Sequence, residues 1–351
     1  MSDNTQQLID QVKTAYANDS ALKIIGGNSK DFLQACSTEA SLEMTSHAGV
    51  VNYEPTELVL TARAGTPVVE IEQLLADNGQ YLSFEPPHFT ENTTIGGAVA
   101  SGMGGPRRPW GGAPRDVLLG CRLLTGTGDV MRFGGEVMKN VAGYDVSRLM
   151  AGAQGSLGVI LEVSLKVLPA PSKTITLTQM LSESEALQKM RELAATPMPL
   201  SGACYFNGQL YIRLSGAHAS VNAWSKKIGG ERLAENNTFW ERLRDHKLDF
   251  FDRSSPVWRI SLPPAAPALT CAGSSLIDWA GGQRWITSNA APEEIKTEAQ
   301  ALKGHAKQFY GNASPEPWAM SSQAALAPIH KRLKETFDPK RIFNPGTHAD
   351  L

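Results

Sequence analysis

The sequence predicts an α+β protein built as two domains, and three observations carry that reading. At 351 residues, 42% hydrophobic and 19% charged, the chain exceeds what one small core needs and has an ordinary globular composition. Its apolar segments alternate between strand patterns and amphipathic helical ones. The pattern then breaks at Pro169 and Pro171, which marks the boundary. We expect a first domain over residues 1–170, a second over 171–320, and a C-terminal helix and tail (321–351) that packs back on the first.

"TQQLIDQVKTAYAND" places Leu8, Ile9, Val12 and Tyr16 on one face of a first helix. "ALKIIGGNSKDF" is a strand emptying into a Gly-Gly turn. "GVVNYEPTELVLTARAGTPVVEIEQLLADNG" reads strand, turn, strand and a short helix stopped by Gly79. After a glycine-rich stretch, "VLLGCRLLTGTGDVMRFGG" gives two strands around a turn, and "SLGVILEVSLKVLP" closes the domain. Beyond the prolines come a strand (Thr174–Gln179), a helix (Glu183–Ala195), a strand pair and a helix near 217–228. That order recurs with "VWRISLP", the hairpin "SLIDWAGGQRWITS", the helix "PEEIKTEAQALKG" and "HAKQFYG". These two βαβ-like halves are expected to form one antiparallel sheet. In the tail, "HKRLK" reads as a solvated helix face.

A net charge of −2 offers no overall attraction to nucleic acid or to an anionic membrane. No apolar run suits a transmembrane helix, and the polar start "MSDNTQQLID" lacks a signal-peptide pattern. A cytoplasmic location is expected, with any membrane association made through partners. The four cysteines stand far apart without a CxxC or Cys/His cluster, so neither a disulfide framework nor a metal site is indicated.

Residues 94–120, "TIGGAVASGMGGPRRPWGGAPRDVLLG", hold eight glycines, three arginines and one acidic residue. Glycine lets backbone N–H groups approach an anion, so such a loop can cradle phosphate. "IIGGNSK" is a second loop of that kind, and the pair suggests a diphosphate, with Arg107, Arg108 and Arg115 near enough in sequence to balance it. A flexible surface loop with solvated arginines is the plain alternative. No GxxxxGK[ST] occurs, and no GxGxxG opens a helix, so P-loop and Rossmann sites are not supported.

Five ordered motifs, "IIGGNS", "LVLTARAGTPVVEIEQLL", "TIGGAVASGMGG", "KNVAGYDVSRLMAGAQGSLGVILEVSLKVLP" and "FDPKRIFNPG", together resemble the vanillyl-alcohol-oxidase (PCMH-type) FAD-binding family. The resemblance covers residues 20–170 and the last 15 or so. It implies a two-part FAD-binding domain plus a smaller α+β cap domain with an antiparallel sheet. "PPHF", "GPRRPWGG" and "RFGGEVMKNVAGYD" look most like the smaller flavin subunit of bacterial glycolate oxidase. That likeness implies an FAD-dependent oxidoreductase acting with a larger flavin subunit and an iron–sulfur subunit to oxidise glycolate, and also D-lactate. A stand-alone 2-hydroxy-acid dehydrogenase and a flavin subunit without turnover are the alternatives.

Carried over position by position, the resemblance implies FAD contacts at Gly26, Gly27, Asn28 and Ser29. It adds Pro87, Thr94, Gly96, Gly97, Ser101, Gly102, Gly105 and Arg108, then Gly155, Ser156, Gly158, Val159 and Ile160. Gly102 stands where many relatives have Asn, and Gln154 where they have Glu. Asn28 stands where relatives with covalent flavin have His, which implies non-covalent FAD. The Gly-His-x-Gly-Asp-Gly-Asn-x-His motif of the large-subunit type is reduced to "GHAKQFYGNAS", with His305 only, and no metal is expected.

Oxidising a 2-hydroxy acid calls for a base, a cation for the carboxylate and a hydride acceptor. His88, just before the TIGG loop, is the candidate base; otherwise it packs the loop. Arg259, on a strand face with Val257 and Ser261, is the candidate carboxylate clamp; otherwise it faces solvent. Asp145 and Tyr144 are read as fixing their loop. Trp279 and Trp285 flank Gly281-Gly282 as cross-strand partners.

Overall fold

In a computed structural model, residues 2–36, 38–135, 145–234, 236–271, 273–311 and 326–348 are described. The chain forms two compact units. The first takes residues up to Met103, then Gly112–Ala170, and the tail described over 326–348. The second takes Gly104–Gly111 and the chain from Pro171. The stretch 94–120 is therefore divided: its middle, inside the predicted first domain, clusters with the second unit.

In the first unit a five-stranded antiparallel sheet runs in the order Val50–Glu54, Val59–Arg63, Val159–Lys166, Leu118–Leu124, Val130–Gly134. The middle strand, Val159–Lys166, is buried along nearly its whole length; its two polar residues are partnered, Glu162 with Arg122 at 3.1 Å and Ser164 with Thr61 at 2.9 Å. Lys23–Ile25 pairs in parallel with Ser41–Glu43 as a separate ribbon. Helix Thr5–Ala17 buries Leu8, Val12 and Ala15, and helix Val68–Asp77 buries Val68, Ile71 and Leu75. Gly79, at φ +65°, takes the left-handed turn that ends the second helix.

The first part of the glycine-rich stretch is a helix, Ile95–Ser101, which strand–turn periodicity does not reveal. Thr94 is its N-cap, accepting from Gly97 N at 3.3 Å, and Gly102 closes it at φ +64°. A Cβ on Gly96 would stand 2.5 Å from Ala64 Cβ, and one on Gly102 would stand 2.9 Å from Gly152 Cα. These two glycines are required by the chain's packing on itself. A Cβ on Gly97 would meet only Thr94 Oγ1, at 3.2 Å.

The tail differs from its sequence reading at Lys334. In helix Ala327–Phe337 this lysine is 2% exposed rather than on a solvated face. Its ammonium donates to Ser156 O (2.5 Å), Asp338 Oδ2 (2.7 Å) and Phe343 O (3.2 Å). Asp338 in turn accepts from Ile342 N and Phe343 N. Three acceptors, one of them a carboxylate, offset the cost of burying the charge.

The second unit is an eight-stranded antiparallel sheet ordered Glu231–Arg232, Lys173–Met180, Gln209–Gly216, Leu200–Phe206, Ser274–Asp278, Gln283–Thr287, Val257–Ser261, His305–Tyr310. Its halves join where Tyr205 pairs with Ile277. Helix Glu183–Ala194 starts from a capping box. Ser182 Oγ accepts from Glu185 N, and the Glu185 carboxylate accepts from Ser182 N at 2.8 Å. Trp285 pairs across strands with Leu276 and Arg259. Trp279 is not its cross-strand partner: it lies in the turn Trp279–Gly281 with positive φ. There its indole N–H donates to Gly105 O at 3.0 Å. The strands end at the Asp278–Gln283 pair, so the turn is longer than the Gly-Gly pair suggests.

Candidate functional site

A cleft opens to solvent in the first unit. Gly26, Gly27, Asn28 and Ser29 form one wall, directly after strand Lys23–Ile25. Thr94, Gly96, Gly97 and Ser101 line it from the Thr94-capped helix. Gly155, Gly158 and Ile160 line it from the start of the central strand. Three segments far apart in sequence thus meet at one cavity. Among the described residues, the N–H groups of Gly27, Asn28 and Ser29 donate to no other backbone group. Asn28 (φ +53°) and Gly155 (φ +70°) both hold left-handed turns at the cleft.

The two loops press closely on each other. A Cβ on Gly27 would fall 1.6 Å from Asn92 O, and one on Gly26 would fall 2.4 Å from Thr94 Oγ1. At Gly27 no side chain fits without moving backbone, and at Gly26 one would displace the Thr94 hydroxyl that caps the helix.

Pro87, Gly102, Gly105, Arg108, Ser156 and Val159, also expected at the cofactor, do not line this cleft. Gly102 caps the helix, Ser156 gives its carbonyl to Lys334, and Val159 is fully buried in the central strand. Gly105 and Arg108 belong to the second unit, where the Arg108 guanidinium lies 4.5 Å from the centre of the Trp279 ring.

Two side chains that sequence reasoning did not single out do line the cleft. Asn344, in the Asn-Pro-Gly tail, accepts from Ile24 N (2.8 Å) and donates from Nδ2 to Gln154 O (2.8 Å). It ties the first wall to the third, and only its place in a recognised motif hinted at this. Lys30 follows the GGNS loop directly, with its ammonium 3.4 Å from Ser29 Oγ and 5.6 Å from the Phe89 ring centre. Burial lowers its pKa to about 8.

The candidates for substrate chemistry stand in separate units. In the first, His88 Nε2 is 3.2 Å from Glu72 Oε2, with the ring largely buried. In the second, Arg259 Nε donates to Gln283 Oε1 at 2.9 Å. Its guanidinium lies 5.5 Å from the Trp279 ring and 5.9 Å from the Trp285 ring. Burial first, and then the Arg108 charge, bring its pKa down to about 10, so it stays cationic at neutral pH. It is half-buried among aromatic rings rather than solvent-facing. His305 opens the edge strand opposite Ser261, and among the described residues no group of three or more His, Cys, Asp or Glu side chains could hold a metal. Asp145 caps helix Val146–Met150 through Arg148 N. Tyr144 and the rest of "EVMKNVAGY" lie outside the described residues.

Residues 2–134 match the family model for an FAD binding domain. The fold is shared with alkyldihydroxyacetonephosphate synthase, at a TM-score of 0.69 and 18% identity over 97% of this chain and 74% of that one. Fold, cleft and family match define an FAD-binding protein of the PCMH type. The chain is 48% identical over 350 residues to glycolate oxidase subunit GlcE of Escherichia coli (strain K12), covering 99% of each. It belongs to that family. Glycolate oxidase subunit GlcD of Bacillus subtilis (strain 168) is 33% identical over 153 residues, 43% of this chain and 32% of that one. D-lactate dehydrogenase of Anaerostipes hadrus is 31% identical over 136 residues, 39% and 28% respectively. Of these three, the GlcE relative is matched over nearly its whole length, and the other two over about a third of theirs.

Proposed function

We propose that this chain is the smaller flavin subunit of a glycolate-oxidising complex, with FAD bound non-covalently in the first-unit cleft. The end-to-end 48% identity with a glycolate oxidase subunit carries the reading. The cleft fits the cofactor on its own terms. Its first loop leaves three backbone N–H groups for an anion, and its glycines let the walls close. Of the residues expected at FAD, Gly26, Gly27, Asn28, Ser29, Thr94, Gly96, Gly97, Ser101, Gly155, Gly158 and Ile160 would hold it. FAD, when bound, supplies a hydride acceptor.

The chain's own contributions are a base and a cation. His88 would take the substrate hydroxyl proton, and the Glu72 carboxylate at 3.2 Å would orient the ring. Arg259, held by Gln283 and flanked by Trp279 and Trp285, would hold the substrate carboxylate. The partners are a larger flavin subunit related to GlcD and an iron–sulfur subunit. Any membrane association would come through them, since among the described residues no helix is long and apolar enough to cross a bilayer.

The test is anaerobic. The purified chain is reconstituted with FAD, mixed with glycolate or D-lactate, and the visible band of oxidised flavin is followed. Bleaching by the chain alone makes this subunit catalytic; bleaching only after the partners are added makes it a relay. A chain that takes up no FAD under any reconstitution condition ends the proposal.

A further inference from the structure

The glycine-rich stretch raised the question of which cation meets the diphosphate. Arg107 and Arg108 belong to the second unit, where Arg107 donates to Ser215 Oγ at 3.3 Å and Arg108 covers Trp279. Arg115 is exposed and does not line the cleft. Lys30 does line it.

The surroundings of Lys30 are unusual for a lysine. Its ammonium is enclosed by protein, although the residue as a whole keeps some exposure on the cleft side. Among the described residues no carboxylate pairs with it; the neighbouring Asp31 pairs with Lys23. Its contacts are a long hydrogen bond to Ser29 Oγ and the face of Phe89, itself packed edge-on against Phe32. A cation stripped of water without a counter-ion is destabilising. An anionic group in the cleft would relieve that cost, and the unengaged N–H groups of Gly27, Asn28 and Ser29 stand in the same loop.

We infer that Lys30 is the cation that neutralises the diphosphate of FAD, acting with the backbone of the loop that precedes it. The inference rests on the FAD reading above and adds to it a residue outside the glycine motif. It makes a double prediction, because a lone enclosed charge weakens the empty fold and strengthens the loaded one.

The experiment compares wild type, Lys30→Met, Lys30→Arg and Arg115→Gln as full-length chains. FAD and riboflavin, which lacks both phosphates, are titrated by flavin fluorescence, and thermal unfolding is measured without flavin. A charge-assisted contact of this kind predicts roughly 10- to 100-fold weaker FAD binding by Lys30→Met. Riboflavin binding should be unchanged, Lys30→Arg should recover most of the FAD affinity, and Arg115→Gln should keep it. Without flavin, Lys30→Met should unfold at the same or a higher temperature than wild type. Unchanged FAD affinity in Lys30→Met, or equal weakening of FAD and riboflavin, overturns the inference while leaving the FAD reading in place. A wild-type chain that binds neither flavin removes both.

Discussion

The two halves of one glycine-rich stretch behave differently. Thr94–Met103 is a capped helix whose first turn lines the cleft of the first unit. Gly104–Gly111 packs in the second, with Trp279 donating to the Gly105 carbonyl and Arg108 stacked on the same indole. Composition makes the stretch look like one phosphate loop. The fold makes it a cleft wall in the first unit followed by a segment packed in the second. Glycine content thus reports that backbone comes close to something. Whether that is a ligand or another part of the chain is settled by what lies opposite.

The sharpest way to break this contrast is on the cleft side. Gly27→Ala drives a methyl into the Asn92 carbonyl oxygen. It should cost more than about 4 kcal/mol or leave no FAD on the chain, as read by flavin retention through gel filtration and by thermal unfolding. Gly79→Ala is the matching control, with φ +65° but no atom within 4 Å of the added carbon. It should cost only about 1–2 kcal/mol. Equal behaviour of the two variants would mean that close approach is not what the first loop needs.

Next in size is the tail. Asn344→Ala removes the link between Ile24 N and Gln154 O and should destabilise the chain by about 2–4 kcal/mol, with weaker FAD binding. Asn344→Asp keeps the acceptor but not the donor and should fall between. If Asn344→Ala retains FAD with wild-type affinity, the two walls are held together by other contacts.

On the second-unit side, His246 gives a pH-dependent test. Its ring stacks on Phe251 at 4.1 Å, is hydrogen-bonded to the Tyr310 hydroxyl and has Trp285 and Phe309 at its edges. Burial first, then the charges of Arg259 and Arg253, lower its pKa to about 3. Below pH ~6.5 the unfolded chain binds a proton that the folded one refuses. The contribution to stability is therefore full above that pH and is lost as pH falls toward 3, by at most about 1.4 kcal/mol per pH unit. Urea unfolding of wild type and His246→Phe from neutral pH to about pH 4 should show their difference shrinking with acid. A difference independent of pH would mean that the ring protonates in place.

The smallest expected effect is the most direct probe of the divided stretch. Arg108→Gln should lower second-unit stability by about 0.5–2 kcal/mol and leave FAD affinity nearly untouched. Arg259→Gln, if this side chain holds substrate carboxylate, should raise KM for glycolate in the reconstituted complex without loosening FAD. Loss of FAD in either variant would return these arginines to the cofactor.

Much was legible before the structure because it is local. The helices at Thr5–Ala17, Val68–Asp77 and Glu183–Ala194, and the strands around Val159 and Ser274, follow from apolar period and turn residues. Eleven of the expected cofactor residues share one cavity, since their glycine motifs carry a backbone requirement written in residue type. Gly105 and Arg108 pack in the second unit and do not line that cavity; a glycine does not say which surface it is pressed against. Lys334 reads as solvated because a helix face with several cations usually is. Its burial depends on Ser156, Asp338 and Phe343, which no periodicity brings together. Lys30 carries no motif at all.

By itself, then, the sequence determined the succession of helices and strands, the family and the loops that must lie close to a ligand or to each other. Those properties reside in neighbouring residues and in backbone freedom. Only the tertiary structure decided which loops share a cavity, that Asn344 joins two of its walls, and that Lys30 rather than the arginines lines it. Charge acquires its function from desolvation and from what it faces, and both depend on segments that only folding brings together, as Phe89 beside Lys30 and Ser156 beside Lys334 show.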